Sequence, residues 1–389
     1  MQSGVLIETR LGACSKKKFK MKKQTRTIFC IAFLVVCKNA PAQEDGLKLI
    51  GAQNKRIAYM GRVGHTDSCA NIYWTGTSIS INVKETTNVT AILEDEKGNN
   101  FYYAITDGDG ANAIKIKVDK EKKSYVLAAN LDKETPHHIE LFKITNTDNW
   151  TRFYGFKTDE TAKVLKPSKK PKRTIEFFGN SITCGHGVEV KPDSSDSGAA
   201  QFFNNYRAFG AITARHFNAQ YHCTAKSGIG ITISWFPQIM PEIYDRLDPK
   251  DAGTKWNFKK YRPDIVVVNL FQNDSWLVNM PDHAQFKARF GNVKPTEGFI
   301  KAAYSNFILS LRSKYPKAQI ICSLGNMDAT REGSKWPGYI DEAVASLNDK
   351  KIITHYFTYK KTPGHPKLQE QQAMADDLIS FIEKQGYWK

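Results

Sequence analysis

The sequence predicts two domains, an antiparallel all-β sandwich followed by a three-layer α/β/α domain on a parallel sheet. Three observations carry this reading. From about residue 46 to 158 short alternating segments lie between turn clusters, with no long helical period. From residue 174 onward, near-continuous apolar runs alternate with helical stretches. Between the two, Lys166-Pro167-Ser168-Lys169-Lys170-Pro171-Lys172-Arg173 combines proline with repelling charge, which keeps a linker extended. The expected boundaries are 1–42 for an export signal, 43–160 for the sandwich, 161–173 for the linker and 174–389 for the second domain.

The first segment has the build of a secretory signal. Lys16 to Lys23 and Arg26 precede an apolar core from Ile28 to Cys37, and Ala40-Pro41-Ala42 supplies a small-residue cleavage site. The core is shorter than the ~20 apolar residues that span a bilayer, so no membrane span is expected. Met21 to Ala42 reads as a complete signal by itself, which leaves Met1 and Met21 both open as starts. Lipid attachment at Cys37 is the alternative to cleavage, although Val36 is a poor residue before such a cysteine. The chain is thus expected to be exported, to a periplasmic or extracellular place.

Charge and cysteines exclude two classes. The 389 residues carry a formal +17, but nine Lys/Arg and a single acid, Glu8, fall within 1–42. The remainder holds 47 basic and 38 acidic residues, near +9, with lysines scattered rather than striped. Nucleic-acid binding needs a clustered footprint, so it is not expected. Of Cys69, Cys184, Cys223 and Cys322, none are paired as C-x-x-C, and neither they nor the histidines have the spacing of a zinc cage. Cys223 and Cys322 lie in apolar runs and read as small core residues. No metal and no cofactor is expected.

In the sandwich, strands are expected over 78–83, 113–118 and 138–144, separated by turns such as Glu96 to Asn100 and Asp107 to Gly110. In the second domain they are expected over 174–178, 219–225, 264–270, 318–324 and 352–357, with helices near 201–217, 297–314 and 368–384. The last helix places Ala375, Leu378, Ile379 and Ile382 on one face.

Chemistry sits just past these strands, where open α/β sheets build their sites. Gly179-Asn180-Ser181-Ile182-Thr183 follows the first. Ser181 is the candidate nucleophile, or the cap of the next helix; a hydroxyl attacks only with a base in reach. No serine lies in G-x-S-x-G, which sets aside the common nucleophile elbow. His365, in the Gly364-His365-Pro366 turn before the last helix, is the candidate base. His186 is nearer in the chain, but chain proximity does not establish geometry. Gly228, in the loop after the second strand, and Asn273, after the third, are candidate oxyanion donors beside the N–H of Ser181. Each such donor is worth roughly 3–4 kcal/mol. Asp274 reads either as a cap or as a substrate contact.

The ordered set Ser181, Gly228, Asn273, His365 on alternating strands and helices resembles the SGNH hydrolases, and implies their flavodoxin-like parallel sheet. The stretch Phe178 to Gly187 more specifically resembles carbohydrate esterase family two. Tyr59-Met60-Gly61-Arg62, Trp74-Thr75-Gly76-Thr77 and His138-Ile139-Glu140-Leu141 resemble that family's jelly-roll-like sandwich domain, so the likeness covers nearly all of the chain after residue 42. It implies a serine esterase that removes O-acetyl groups from xylan or glucomannan through an acetyl-Ser181, with Trp276 and Asp274 on the sugar side. A catalytically inactive carbohydrate-binding protein, or an esterase for a different acylated glycan, are the competing readings.

Three positions depart from the pattern. Asn180 stands where the family has Asp, and Phe271 where many members have Gly. Thr362 and Pro363 hold the place of the acid that usually precedes the histidine. The expectation is therefore a Ser181–His365 dyad, the imidazole oriented by a backbone carbonyl as in family members that lack the acid.

Overall fold

The computed structural model describes residues 46–192 and 194–388; the expected signal segment, with Met21 and Cys37, lies outside the described residues. The N-terminal part is two antiparallel sheets packed face to face. One runs Val63–His65, Ala70–Ile72, Thr151–Asp159, Val89–Asp95, Lys123–Ala128, and Leu47–Gly51 also pairs with Thr151–Asp159. The other runs Lys163–Val164, Ser78–Lys84, His137–Lys143, Phe101–Thr106, Ile114–Lys117, with Ile57–Met60 beside Ser78–Lys84. Strand alternation explains the packing: Ile79, Ile81 and Val83 point inward and are buried, while Ser80, Asn82 and Lys84 are partly exposed.

The C-terminal part is a five-stranded parallel sheet. Its strands are β1 (Arg173–Gly179), β2 (Ala219–Ala225), β3 (Ile265–Asn269), β4 (Gln319–Leu324) and β5 (Ile352–Tyr356), in the order β2-β1-β3-β4-β5. Order reverses between β2 and β3, so the carboxyl ends of β1 and its neighbours open onto a crevice. Neighbouring residues of β1 build opposite layers. Phe177 packs with Phe209, Leu378 and Ile382 on one face, and Phe178 with Ile300, Phe307 and Leu311 on the other. Both phenylalanines are fully buried, which makes the sheet a three-layer core.

The expected strands and the helices Glu297–Lys314 and Leu368–Gln385 lie where the periodicity placed them. The expected helix 201–217 does not form as one element. It is two short turns, Ala200–Phe202 and Asn205–Arg207, and a helix only from Phe209 to His216. Asn204 is the cause: its side chain accepts from Arg207 N–H, and its amide donates to Tyr103 and Glu189, which holds the backbone extended there. The helix Trp336–Ser346 was not anticipated.

The linker is tied down, since Asn82 donates to Lys166 O and Ser168 Oγ. A buried ion pair joins sandwich and parallel sheet. Arg62 donates to Glu176 Oε1 on β1 at 2.9 Å and to the carbonyls of Tyr244 and Arg246. Thr224 and Tyr315 complete the carboxylate's partners, and Trp74, Phe178, Trp256 and Phe258 surround the guanidinium. Cys69, Cys184, Cys223 and Cys322 are all buried free thiols.

Candidate active site

Ser181 opens a single helical turn after β1. Asn180 caps it by accepting from Ile182 N–H at 3.0 Å, and Gly185 closes it in the left-handed conformation. The cap is thus Asn180 and not Ser181, which leaves the Ser181 hydroxyl free. The asparagine at the family's aspartate position keeps the acceptor oxygen that capping needs. Ser181 Oγ lies 2.8 Å from His365 Nε2. The histidine's turn is built by two neighbours. Lys360 donates to the carbonyls of Thr362 and Pro363, and Glu370 receives Thr362 Oγ1 and Lys367 N–H.

The expected dyad is corrected here. Asp196 Oδ2 sits 2.6 Å from His365 Nδ1 and also accepts the backbone N–H of His365 at 2.6 Å. The acid missing at 362–363 comes instead from a loop 169 residues earlier in the chain. Room for it is made by glycine. A Cβ on Gly364 would lie 2.8 Å from Asp196 Oδ2, and one on Gly187 3.0 Å from Oδ1; both glycines also have positive φ. Burial raises the affinity of Asp196 for a proton, but the hydrogen bonds and charge of His365 outweigh it, and the carboxyl is held below its usual range. An ionised carboxylate only accepts, so Nδ1 donates to it and Nε2 is left to accept from Ser181.

His186 does reach the site, though not as a base. Its ring stacks on His365 with centroids 4.0 Å apart and planes at 23°. Burial first, and the charge of His365 second, lower its pKa to about 4, so at neutral pH it is an uncharged wall. His186, Asp196 and His365 bring ligand atoms within 4.8 Å of one another. Imidazole lone pairs lie in the ring plane, however, and two nearly parallel stacked rings do not aim theirs at one ion.

Strand register carries the oxyanion candidates to the same edge, because Gly179 pairs with Ala225 on β2 and with Asn269 on β3. Ser181, Gly228 and Asn273 follow those residues. Among the described residues neither Ser181 N–H nor Gly228 N–H donates to a protein acceptor. Asn273 donates one amide hydrogen to Ile229 O at 2.7 Å and accepts from Trp235 Nε1 at 3.0 Å. Those two bonds orient the amide, and the second N–H on Nδ2 remains for a ligand.

Asp274 is not on the sugar side. It is fully buried and accepts from Ile231 N–H, Thr232 N–H, Thr232 Oγ1 and Ile233 N–H, so it clamps the loop that carries Gly228. Burial pushes its pKa up, against those donors. Trp276 is half-buried, donates to Asp328 Oδ2 at 3.1 Å, and lines a cavity of about 650 Å³ with Trp336, Tyr339 and Arg331. Two participants had no usable sequence signal. Asp196 lies in a polar loop after no apolar run. Trp235 follows the apolar stretch Ile229 to Ile233 and reads as core, yet its indole is 41% exposed beside Asn273.

Phe271 shows why that position favours glycine. Its φ is +84°, a region costly for a bulky side chain by roughly 1–3 kcal/mol. Complete burial against Tyr304 and Trp336 holds it there.

Fold and site together define an SGNH-type hydrolase with a serine, a histidine and a carboxylate in line. Comparison with known proteins narrows this. Residues 59–167 match the family model described as carbohydrate esterase 2 N-terminal. A family two carbohydrate esterase from Clostridium thermocellum, solved with cellohexaose, is 30% identical; the alignment covers 85% of this chain and 99% of that one, with a TM-score of 0.73. The cellulase/esterase CelE of Acetivibrio thermocellus is 30% identical over 86% of this chain, and the match spans 40% of CelE. An acetylxylan esterase / glucomannan deacetylase of Cellvibrio japonicus is 23% identical over 92% of this chain and 96% of its own length. The chain belongs to carbohydrate esterase family two.

Proposed function

We propose that the protein is a serine esterase that removes O-acetyl groups from plant-wall polysaccharides such as xylan and glucomannan. The observation that supports this best is the continuous chain Ser181 Oγ, His365, Asp196 at 2.8 and 2.6 Å. His365 Nε2 takes the hydroxyl proton as Ser181 Oγ attacks the acetyl carbonyl, and Asp196 steadies the imidazolium that forms. Ser181 N–H, Gly228 N–H and Asn273 Nδ2 receive the oxyanion. His365 then hands its proton to the departing sugar oxygen, leaving acetyl-Ser181. A water deprotonated by His365 attacks that ester, and acetate leaves with Ser181 reprotonated. Trp235, bonded to Asn273, and Trp276, three residues further along the same helix, offer aromatic faces to a sugar ring. Export follows from the segment 1–42; among the described residues no helix is long and apolar enough to cross a membrane.

The test is acetate release from acetylated xylan and glucomannan by residues 43–389, against Ser181→Ala. Release by the wild type and a loss of at least ~1000-fold in kcat for the variant are expected. A protein inert on both polymers and on p-nitrophenyl acetate would point instead to carbohydrate binding without catalysis.

A further inference from the structure

Ser181, Gly228 and Asn273 stand at strand ends, and strand register positions them. Asp196 has no such support. It lies in the loop between Gly187 and the turn Ala200–Phe202, so something else must hold its carboxylate at hydrogen-bonding distance from His365. Among the described residues, side chains anchor that loop at two places. At its start, Glu189 accepts from Tyr103 and Lys115 of the sandwich and from Asn204. In its middle, next to Asp196, the anchor is Lys367.

Lys367 is two residues beyond His365, on the far side of Pro366, and its side chain is buried with 8% of the residue exposed. Its ammonium donates to the backbone carbonyls of Lys191 at 2.9 Å, Pro192 at 2.6 Å and Ser194 at 2.7 Å. An ammonium has three protons, and all three are used on one short stretch of loop. Its backbone N–H is fixed in turn by Glu370 Oε2 at 2.8 Å, which anchors the lysine to the start of the last helix. The base's turn and the acid's loop are thereby joined through one side chain. Lys360 differs, because the hydrogen bonds of its ammonium stay within the turn of His365 itself.

We infer that Lys367 is a positioning residue: it carries the Asp196 loop against His365 and so completes the triad. The inference rests on the triad reading above. Without Lys367 the carbonyls of 191, 192 and 194 turn to water, the loop moves out, and the imidazole loses its orienting carboxylate while Ser181 and the oxyanion donors stay in place. Displacing a supporting group by about an ångström can lower rate by about 100-fold, so a loss of 10- to 100-fold in kcat is expected.

The experiment is a double-mutant cycle on p-nitrophenyl acetate with Asp196→Asn, Lys367→Met and the pair. The expected result is that Lys367→Met lowers kcat with little change in KM, that Lys367→Met adds at most a few-fold in the Asp196→Asn background, and that Lys367→Gln, which keeps N–H donors, recovers part of kcat. Full multiplication of the two single losses would overturn the inference and leave the triad standing. Failure of both Lys367 variants to fold would overturn it too, since the lysine would then support the whole fold. A wild-type enzyme unaffected by Asp196→Asn would instead sink the triad reading itself.

Discussion

Two charged clusters in this molecule join residues far apart in the chain, and they are built to opposite ends. Arg62 and Glu176 meet where the sandwich touches β1, with their side chains 1% and 0% exposed. Asp196 and His365 meet at the sheet edge, 18% and 17% exposed. The first cluster has rings on every side and fixed partners for the carboxylate, so its charges lock two halves of a fold together. The second leaves Ser181 and two backbone N–H groups open on one side, an arrangement suited to moving a proton. Enclosure, more than the chemical type of the pair, separates the lock from the reactive site.

Removing Asp196 acts on rate. Asp196→Asn should reduce kcat by about 100- to 10,000-fold, because an amide no longer fixes the imidazole tautomer or steadies its charge. The melting temperature should stay near the wild-type value, which calorimetry beside steady-state kinetics would check. A similar kcat for variant and wild type would return the dyad.

Removing Arg62 acts on stability. Arg62→Met strands the Glu176 carboxylate in the core and should destabilise the protein by about 3–5 kcal/mol, read from denaturant unfolding. Adding Glu176→Gln should recover part of that loss. Equal stability of the two variants would mean that the rings around the guanidinium, rather than the ion pair, hold the interface.

The smallest effect concerns the wall of the reactive cluster. His186 has a folded pKa of about 4 against an ordinary 6.5. The unfolded chain therefore takes up a proton below pH 6.5 that the folded chain refuses. Stability from this group is fully present above pH 6.5 and is lost as pH falls toward 4, by about 3 kcal/mol. His186→Phe keeps a stacked ring and should flatten the unfolding free energy over that window relative to wild type. Parallel pH profiles for the two proteins would show that His186 titrates normally.

The same contrast explains what could be read in advance. Ser181, Gly228, Asn273 and His365 follow apolar runs or sit in a turn before a periodic helix, so local pattern locates them. Arg62 lay in a stretch that resembles the family's sandwich domain, yet nothing in the sequence paired it with Glu176, an acid inside the expected strand 174–178. Asp196 is one acid in Asp193-Ser194-Ser195-Asp196-Ser197, and only folding brings it to His365. Asp274 was misjudged because an acid beside a site residue looks alike whether it faces a ligand or clamps a loop; burial and four donors decide it. The interrupted helix at 201–217 has the same origin, since the contacts of Asn204 with Tyr103 and Glu189 are tertiary.

The central claim is that Asp196 sets the tautomer of His365, and nitrogen-15 NMR of the labelled imidazole in its neutral form tests it most directly. The account predicts a proton on Nδ1 and none on Nε2 in the wild type, and a mixture of tautomers in Asp196→Ala. A proton on Nε2 in the wild type, or the same tautomer in both proteins, would contradict it.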